Sequence, residues 1–323
     1  MGVYVPGVSK LNLTIMLTTA LVFGVIGGVM AVVLYLSGVG GASAIWIWML
    51  FSLAMLGFQW YFGPGIIVWA SKAKEVDERE APKLHKMIAE LAQLAGVPKP
   101  KVFMVPNSSP NAFAFGRSQG SAGIAVHSGL LKVLDEDEVR AVLAHEMGHI
   151  KHRDVMVMTV ASVLPIMLYY AVIIFGSGGN RNRGLGSIVL VFFGAIAAQI
   201  LGQLVVMWLS RQREFYADAF SAYATKKPEA LMKALAKITY NMAPAQKGDK
   251  SSSMLRAFYI ADPAAGEREA MAEVIDVLNL GDAAIQMAIE KDRKLGIGEV
   301  LSTHPATWKR LSALLKIKKQ MAG

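Results

Sequence analysis

The chain contains no cysteine, which excludes disulfides, thiolate metal sites and cysteine nucleophiles. Charge is also scarce. Charged residues make up 18% of the chain and hydrophobic residues 54%, whereas roughly a quarter of a soluble protein is charged. The scarcity is concentrated in three runs, 11–71, 155–180 and 184–210, which hold no Asp, Glu, Lys or Arg. A spanning helix takes about 20 apolar residues. The first run therefore has room for two and the others for one each, giving four expected transmembrane helices. No ionisable group falls inside them, which speaks against a transporter or channel. The first run is too long for the h-region of a signal peptide, about 7–15 residues, and no cleavage-like boundary follows it. It is expected to stay as an anchor.

The charge that is present has a pattern. The formal net charge is +9, yet between Lys72 and Asp154 the 12 basic and 11 acidic residues nearly cancel. Most of the excess lies from Arg211 onward, including Lys316, Lys318 and Lys319. Basic residues near membrane helices belong on the cytoplasmic side, against anionic lipid, so lipid explains them better than nucleic acid. Arg181 and Arg183, between the last two runs, narrow the margin of that topology.

Four segments are expected: two transmembrane helices in 1–71, the first part of a catalytic domain in 72–154, two further transmembrane helices in 155–210, and the second part of the domain in 211–323. The first span covers about 12–36, with Gly24 and Gly28 spaced for close helix packing. The second begins near Ile45, with Trp46, Trp48, Trp60 and Tyr61 as interfacial anchors and a break or kink at Gly63, Pro64 and Gly65. Beyond Lys72, apolar spacing predicts a helix over 81–95 and strands over 101–105 and 123–126, with a loop around 108–120 between them. Asp135 followed by Glu138 marks a helix start. Pro165 is expected to kink the third span, and Gln199 and Gln203 to face other helices. A polar loop is expected near 246–253. The fold class is mainly α with a small β-sheet.

The helix begun at Asp135 carries His145-Glu146-Met147-Gly148-His149. Residues four apart share a helix face, so both imidazoles can reach one metal ion. Imidazole suits zinc, and a catalytic zinc takes three protein ligands and a water, whose pKa falls to about 7. Glu146 is placed to accept that proton. A third histidine in the extended HExxHxxGxxH pattern would fall on Val155, leaving a carboxylate from a later helix. Glu214 and Asp218, four apart after the last apolar run, offer one ligand and one hydrogen-bond acceptor for an imidazole, in either order. His127 reads as structural, His85 as solvated and His152 as an interfacial charge. An intact Glu146 argues against a zinc-binding scaffold without turnover, since a structural site needs no base.

Together, HEMGHIKHRD and SRQREFYAD resemble the HtpX-like family of membrane zinc peptidases, relatives of the CAAX prenyl endopeptidases. The likeness extends to Asn111-Ala112-Phe113-Ala114 and to Ser302-Thr303-His304-Pro305 with Arg310. It implies a zincin-type, gluzincin-like catalytic domain with one Zn2+ per chain, Glu214 as third ligand and Asp218 supporting an imidazole. Asn111 would contact substrate backbone, and His304 would polarise the scissile carbonyl or stabilise the developing oxyanion. A zincin edge strand, pairing with extended substrate, is expected beside His127, at 123–126. The resemblance further implies a multi-pass protein of the cell (inner) membrane, its catalytic domain facing the cytoplasm. Its substrates would be polypeptides, chiefly unfolded or misassembled membrane proteins, with CAAX-type processing as the rival activity. Residues 264–300 match no motif of that family.

Overall fold

A computed structural model of the chain describes residues 42–177, 185–245 and 304–322. The expected first span, the linker holding Arg181 and Arg183, the loop near 246–253 and the stretch 264–300 lie outside the described residues. Three described stretches are long and apolar enough to cross a membrane: Met49–Ser71, Asp154–Ile173 and Val189–Thr225.

Helix α1, Ala42–Ser71, runs through Pro64 without the expected break. It stops where Lys72 takes a left-handed φ of 55°, and Ser71 Oγ donates to the Ile67 carbonyl at 2.7 Å. A two-residue strand β1, Lys74–Glu75, leads into α2, Pro82–Ala95. Pro82 opens α2, where its missing N–H costs nothing. Gly96 closes it in a left-handed turn that glycine adopts without strain. The expected strands form as β2, Lys101–Val105, and β4, Gly123–His127, but the expected loop between them contains a third strand, β3, Ala112–Phe115.

The sheet order is β1-β2-β4-β3. Strands β2 and β4 are parallel, and β1 and β3 pair antiparallel on the two edges. Strand β4 is buried at every residue and lies inside the sheet. The edge on that side is therefore β3, which corrects the expectation that 123–126 would be the edge strand.

A short helix α3, Leu130–Val133, precedes the motif helix α4, Glu136–Lys151. The capping box forms as expected: Asp135 accepts from the Glu138 amide at 2.9 Å, and Glu138 accepts from the Asp135 amide at 3.0 Å. Acids in the first turn and bases in the last suit the helix dipole. The third apolar run is not one helix but two, α5 (Asp154–Ala161) and α6 (Val163–Ser177), interrupted at Ser162. Pro165 has no N–H to offer the Ala161 carbonyl four residues back, so the expected kink falls one turn before it, at Ser162, which keeps a right-handed helical conformation. Helix α7, Leu185–Thr225, is 41 residues long and passes unbroken from the last apolar run through Glu214 and Asp218. Of its glutamines, Gln199 is half-buried, while Gln203 is exposed among the described residues and not packed as expected. Helices α8, Pro228–Ala245, and α9, Thr307–Ala322, complete the described chain.

One core joins these elements. Ile88 and Leu91 of α2, Leu143 and Met147 of α4, Leu235 of α8 and Leu314 of α9 are fully buried in it. Two glycines set the helix crossings. A Cβ on Gly148 would lie 2.9 Å from Ala217 Cα, and one on Gly202 would lie 2.7 Å from Pro165 Cα. The first contact presses α4 against α7, and Ser221 Oγ reinforces it by donating to the Ala141 carbonyl at 2.6 Å.

Candidate active site

The crossing at Gly148 and Ala217 decides the site. It brings one face of α4, with His145 and His149, against the turn of α7 that holds Glu214 and Asp218. His145 and His149 present their Nε2 atoms 3.1 Å apart. Glu214 Oε2 stands 3.7 Å from the first Nε2, and Oε1 3.5 Å from the second. These three side chains could hold a metal ion.

The supporting bonds make this a test of fit. His145 Nδ1 faces Asp218 Oδ1 at 2.9 Å, and His149 Nδ1 faces Asp154 Oδ2 at 2.6 Å. A neutral imidazole that donates Nδ1–H to a carboxylate keeps its lone pair on Nε2. Two lone pairs and a carboxylate therefore converge, an arrangement that repels itself unless a cation sits between them. Glu214 Oε2 is buried and makes no hydrogen bond, although Arg310 Nη1 and His304 Nδ1 are 3.3 and 3.4 Å away. Ligand atoms bonded tetrahedrally to zinc at about 2.0–2.1 Å lie about 3.3 Å apart, close to the spacings found. The residues fit the ion.

Each imidazole support has its own arginine. Arg310 grips Asp218 with two bonds, Nη2 to Oδ1 at 2.6 Å and Nε to Oδ2 at 2.8 Å. Arg213 donates to Asp154 Oδ1 and to the His152 carbonyl. Asp154 reaches His149 because Arg153, with φ of 56°, turns the chain back between α4 and α5. Sequence reasoning assigned no role to Asp154, Arg213 or Arg310. Asp154 and Arg213 sit in the two strings that carry the motif, but a five-residue separation on a helix does not pair side chains. Only the left-handed turn does so here.

Glu146 is 4% exposed and accepts the Ala114 amide of β3 at 2.7 Å. Burial pushes its pKa up, against the opposing pull of His145 and His149. The site opens into a cavity of about 720 Å³. Its far wall is one face of α1, comprising Leu56, Gln59, Trp60, Gly63, Pro64 and Ile67. His304, just before α9, also lines the cavity. Asn111 is placed elsewhere: it is 1% exposed, does not line the cavity, and accepts the His127 amide on its carbonyl at 2.9 Å.

The remaining histidines divide. His127 is buried in β4 with Nδ1 3.0 Å from the Ser109 carbonyl, and burial pushes its pKa down to about 4, as suits a structural residue. His85 is not solvated as expected: its side chain is 11% exposed and Nε2 meets the Val76 carbonyl at 2.9 Å. His152 is half-buried, and burial, with Arg213 next, lowers its pKa. Its backbone caps the end of α4, and the ring packs against Tyr216.

Comparison with known proteins bears on this geometry. The model of Peptidase family M48 matches residues 78–318. The "Protease HtpX homolog" of Methanothermobacter thermautotrophicus is 39% identical over 239 residues, covering 74% of this chain and 90% of that one. The "Protease HtpX homolog 2" of Methanosarcina acetivorans is 36% identical over 280 residues, covering 85% of each. Among solved structures, the crystal structure of S. mikatae Ste24p aligns with a TM-score of 0.52 at 19% identity, over 94% of this chain and 66% of that one. That likeness supports the fold.

Proposed function

The chain belongs to peptidase family M48, and on that premise we propose that it is a membrane-embedded zinc endopeptidase. Its substrates on this reading are unfolded or misassembled membrane proteins, cut at the cytoplasmic face. The observation that carries the reading is the convergence of His145, His149 and Glu214 beside Glu146, in a cavity whose opposite wall is a helix apolar enough to cross a bilayer.

His145, His149 and Glu214 would hold the zinc. When bound, the ion acidifies a water and polarises the scissile carbonyl. The protein's own groups do the rest. Glu146 Oε2 is tied to the Ala114 amide, so Oε1 is the oxygen left to take a proton from the attacking water and return it to the departing amine. Burial raises the pKa of Glu146, which makes its carboxylate a stronger base toward that water. Strand β3, an edge of the sheet among the described residues and beside Glu146, would pair with the extended substrate backbone and tolerate varied side chains. His304 faces the growing negative charge on the carbonyl oxygen. Asp218 and Asp154 fix the imidazole tautomers. Asn111 acts on this reading through the loop that leads into β3.

The test compares wild type with Glu146→Gln on unfolded casein, with added zinc and with chelator, and measures bound metal in both proteins. Zinc-dependent cleavage by wild type, absent from a variant that still binds metal, is the expected result. No cleavage by a zinc-loaded wild type would sink the proposal and leave a metal-binding scaffold.

A further inference from the structure

Two cations in the cavity wall have side chains with no part in the chemistry above. Arg117 lies in the turn after β3, its guanidinium stacked 4.5 Å from the Tyr61 ring of α1. Arg153 lies between α4 and α5, is exposed, and lines the same cavity. Gln119 Nε2 donates to the Lys151 carbonyl at 2.9 Å, and this bond holds the turn bearing Arg117 against the chain end bearing Arg153. Both arginines therefore occupy one end of the cavity.

The acids that line the cavity are all engaged. Glu146 is bound to the Ala114 amide, Glu214 joins the imidazoles, and Asp154 is shared by His149 and Arg213. No acid pairs with Arg153 or Arg117 among the described residues. An unpaired guanidinium in a mostly apolar cleft is a receptor for a carboxylate.

Resting on the peptidase reading, we propose that Arg153, with Arg117 beside it, selects substrates that carry an acidic side chain a few residues from the scissile bond, on the side lying toward the C-terminal end of β3. The cleft then reads two features together: an extended backbone on β3, which any sequence supplies, and a negative charge at the arginine end. An anionic lipid headgroup would suit the same guanidinium, but Arg153 lines the cavity that holds Glu146, which favours a peptide.

The experiment uses full-length protein in phosphatidylcholine nanodiscs and a matched set of peptides with Glu, Gln or Lys at each flanking position. Peptide affinity is measured by fluorescence anisotropy on Glu146→Gln protein, where no turnover is needed, and kcat/KM is measured on the active form. The expected order is Glu above Gln above Lys on one flank only, about tenfold between the first two. Arg153→Glu should invert that order, and Arg117→Gln should narrow it. An order unchanged by Arg153→Glu overturns the proposal. So does an Arg153→Glu effect seen only as a changed response to phosphatidylglycerol in the disc, which would assign the arginine to lipid. Failure of wild type to cut any peptide strikes the peptidase reading instead, and leaves the affinity order to judge this one.

Discussion

The two imidazoles at the centre are supported in the same way but at different depths. On the inner side, His145, Asp218 and Arg310 are all but inaccessible, each 1% exposed. On the outer side, the side chains of His149, Asp154 and Arg213 are 19%, 11% and 17% exposed. The chemistry is the same in both: an imidazole, a carboxylate on its Nδ1, and an arginine on the carboxylate. What differs is the cost of a missing partner. A charge left unpaired in the interior is far more expensive than one that water can reach. The inner support is therefore part of the fold, and the outer one is closer to an adjustment of the site.

Breaking the inner support should have the largest effect. Arg310→Leu strands Asp218 in the core and should cost about 3–5 kcal/mol, read as a collapse in folded yield and thermal midpoint. Arg213→Leu, tested in parallel, should cost clearly less. Equal losses would erase the distinction.

His127 supplies the third case, a buried imidazole whose Nδ1 faces a neutral carbonyl in place of a carboxylate. Its pKa in the folded protein is about 4, below the ordinary 6.5. The unfolded chain thus takes up a proton that the native state refuses, so stability is complete above about pH 6.5 and is lost as pH falls toward 4. The loss from this residue is about 3 kcal/mol at most. Thermal midpoints across that range should show it, and His127→Asn should flatten the dependence.

Gly148 lies where both supports depend on one helix crossing. Gly148→Ala forces a Cβ to within 2.9 Å of Ala217 Cα and should cost about 1–3 kcal/mol by overpacking. It should also weaken metal binding, because Glu214 moves away with α7. Retention of wild-type metal affinity would show that the crossing does not set the ligand spacing.

The finest discrimination comes from the carboxylates. Loss of a group supporting a metal ligand typically costs 10–100-fold in affinity. Asp218→Asn should lie near the top of that range and Asp154→Asn near the bottom, measured by chelator competition. The reverse order would show that burial is not what ranks them.

Much of this was readable in advance, for local reasons. The start of α4 is written in Asp135 and Glu138, and α2 in its apolar spacing. That His145 and His149 share one helix face follows from helix periodicity. Strand β3 was hidden because four residues in a polar, glycine-flanked stretch do not reveal an alternation. The continuity of α7 was hidden because charge resumes at Arg211, which marks the end of an apolar run but not the end of a helix. Arg310 was quoted for its likeness and not its role. Its partner Asp218 is 92 residues away, and no periodicity links positions so far apart.

That same helix has a mechanical consequence. At 1.5 Å per residue, α7 is a rod of about 60 Å, roughly twice the thickness of a bilayer's hydrocarbon core. Its first part is apolar, and its last part carries Glu214 and Asp218. A hydrogen-bonded rod transmits tilt and axial sliding along its whole length. One turn of slippage in the apolar half would carry Glu214 about 5.4 Å, well out of reach of the imidazoles. On the proposed reading, the carboxylate that would hold the metal rides on the same rod as a segment apolar enough to cross a bilayer, so the thickness of that bilayer would become one of the dimensions of the active site.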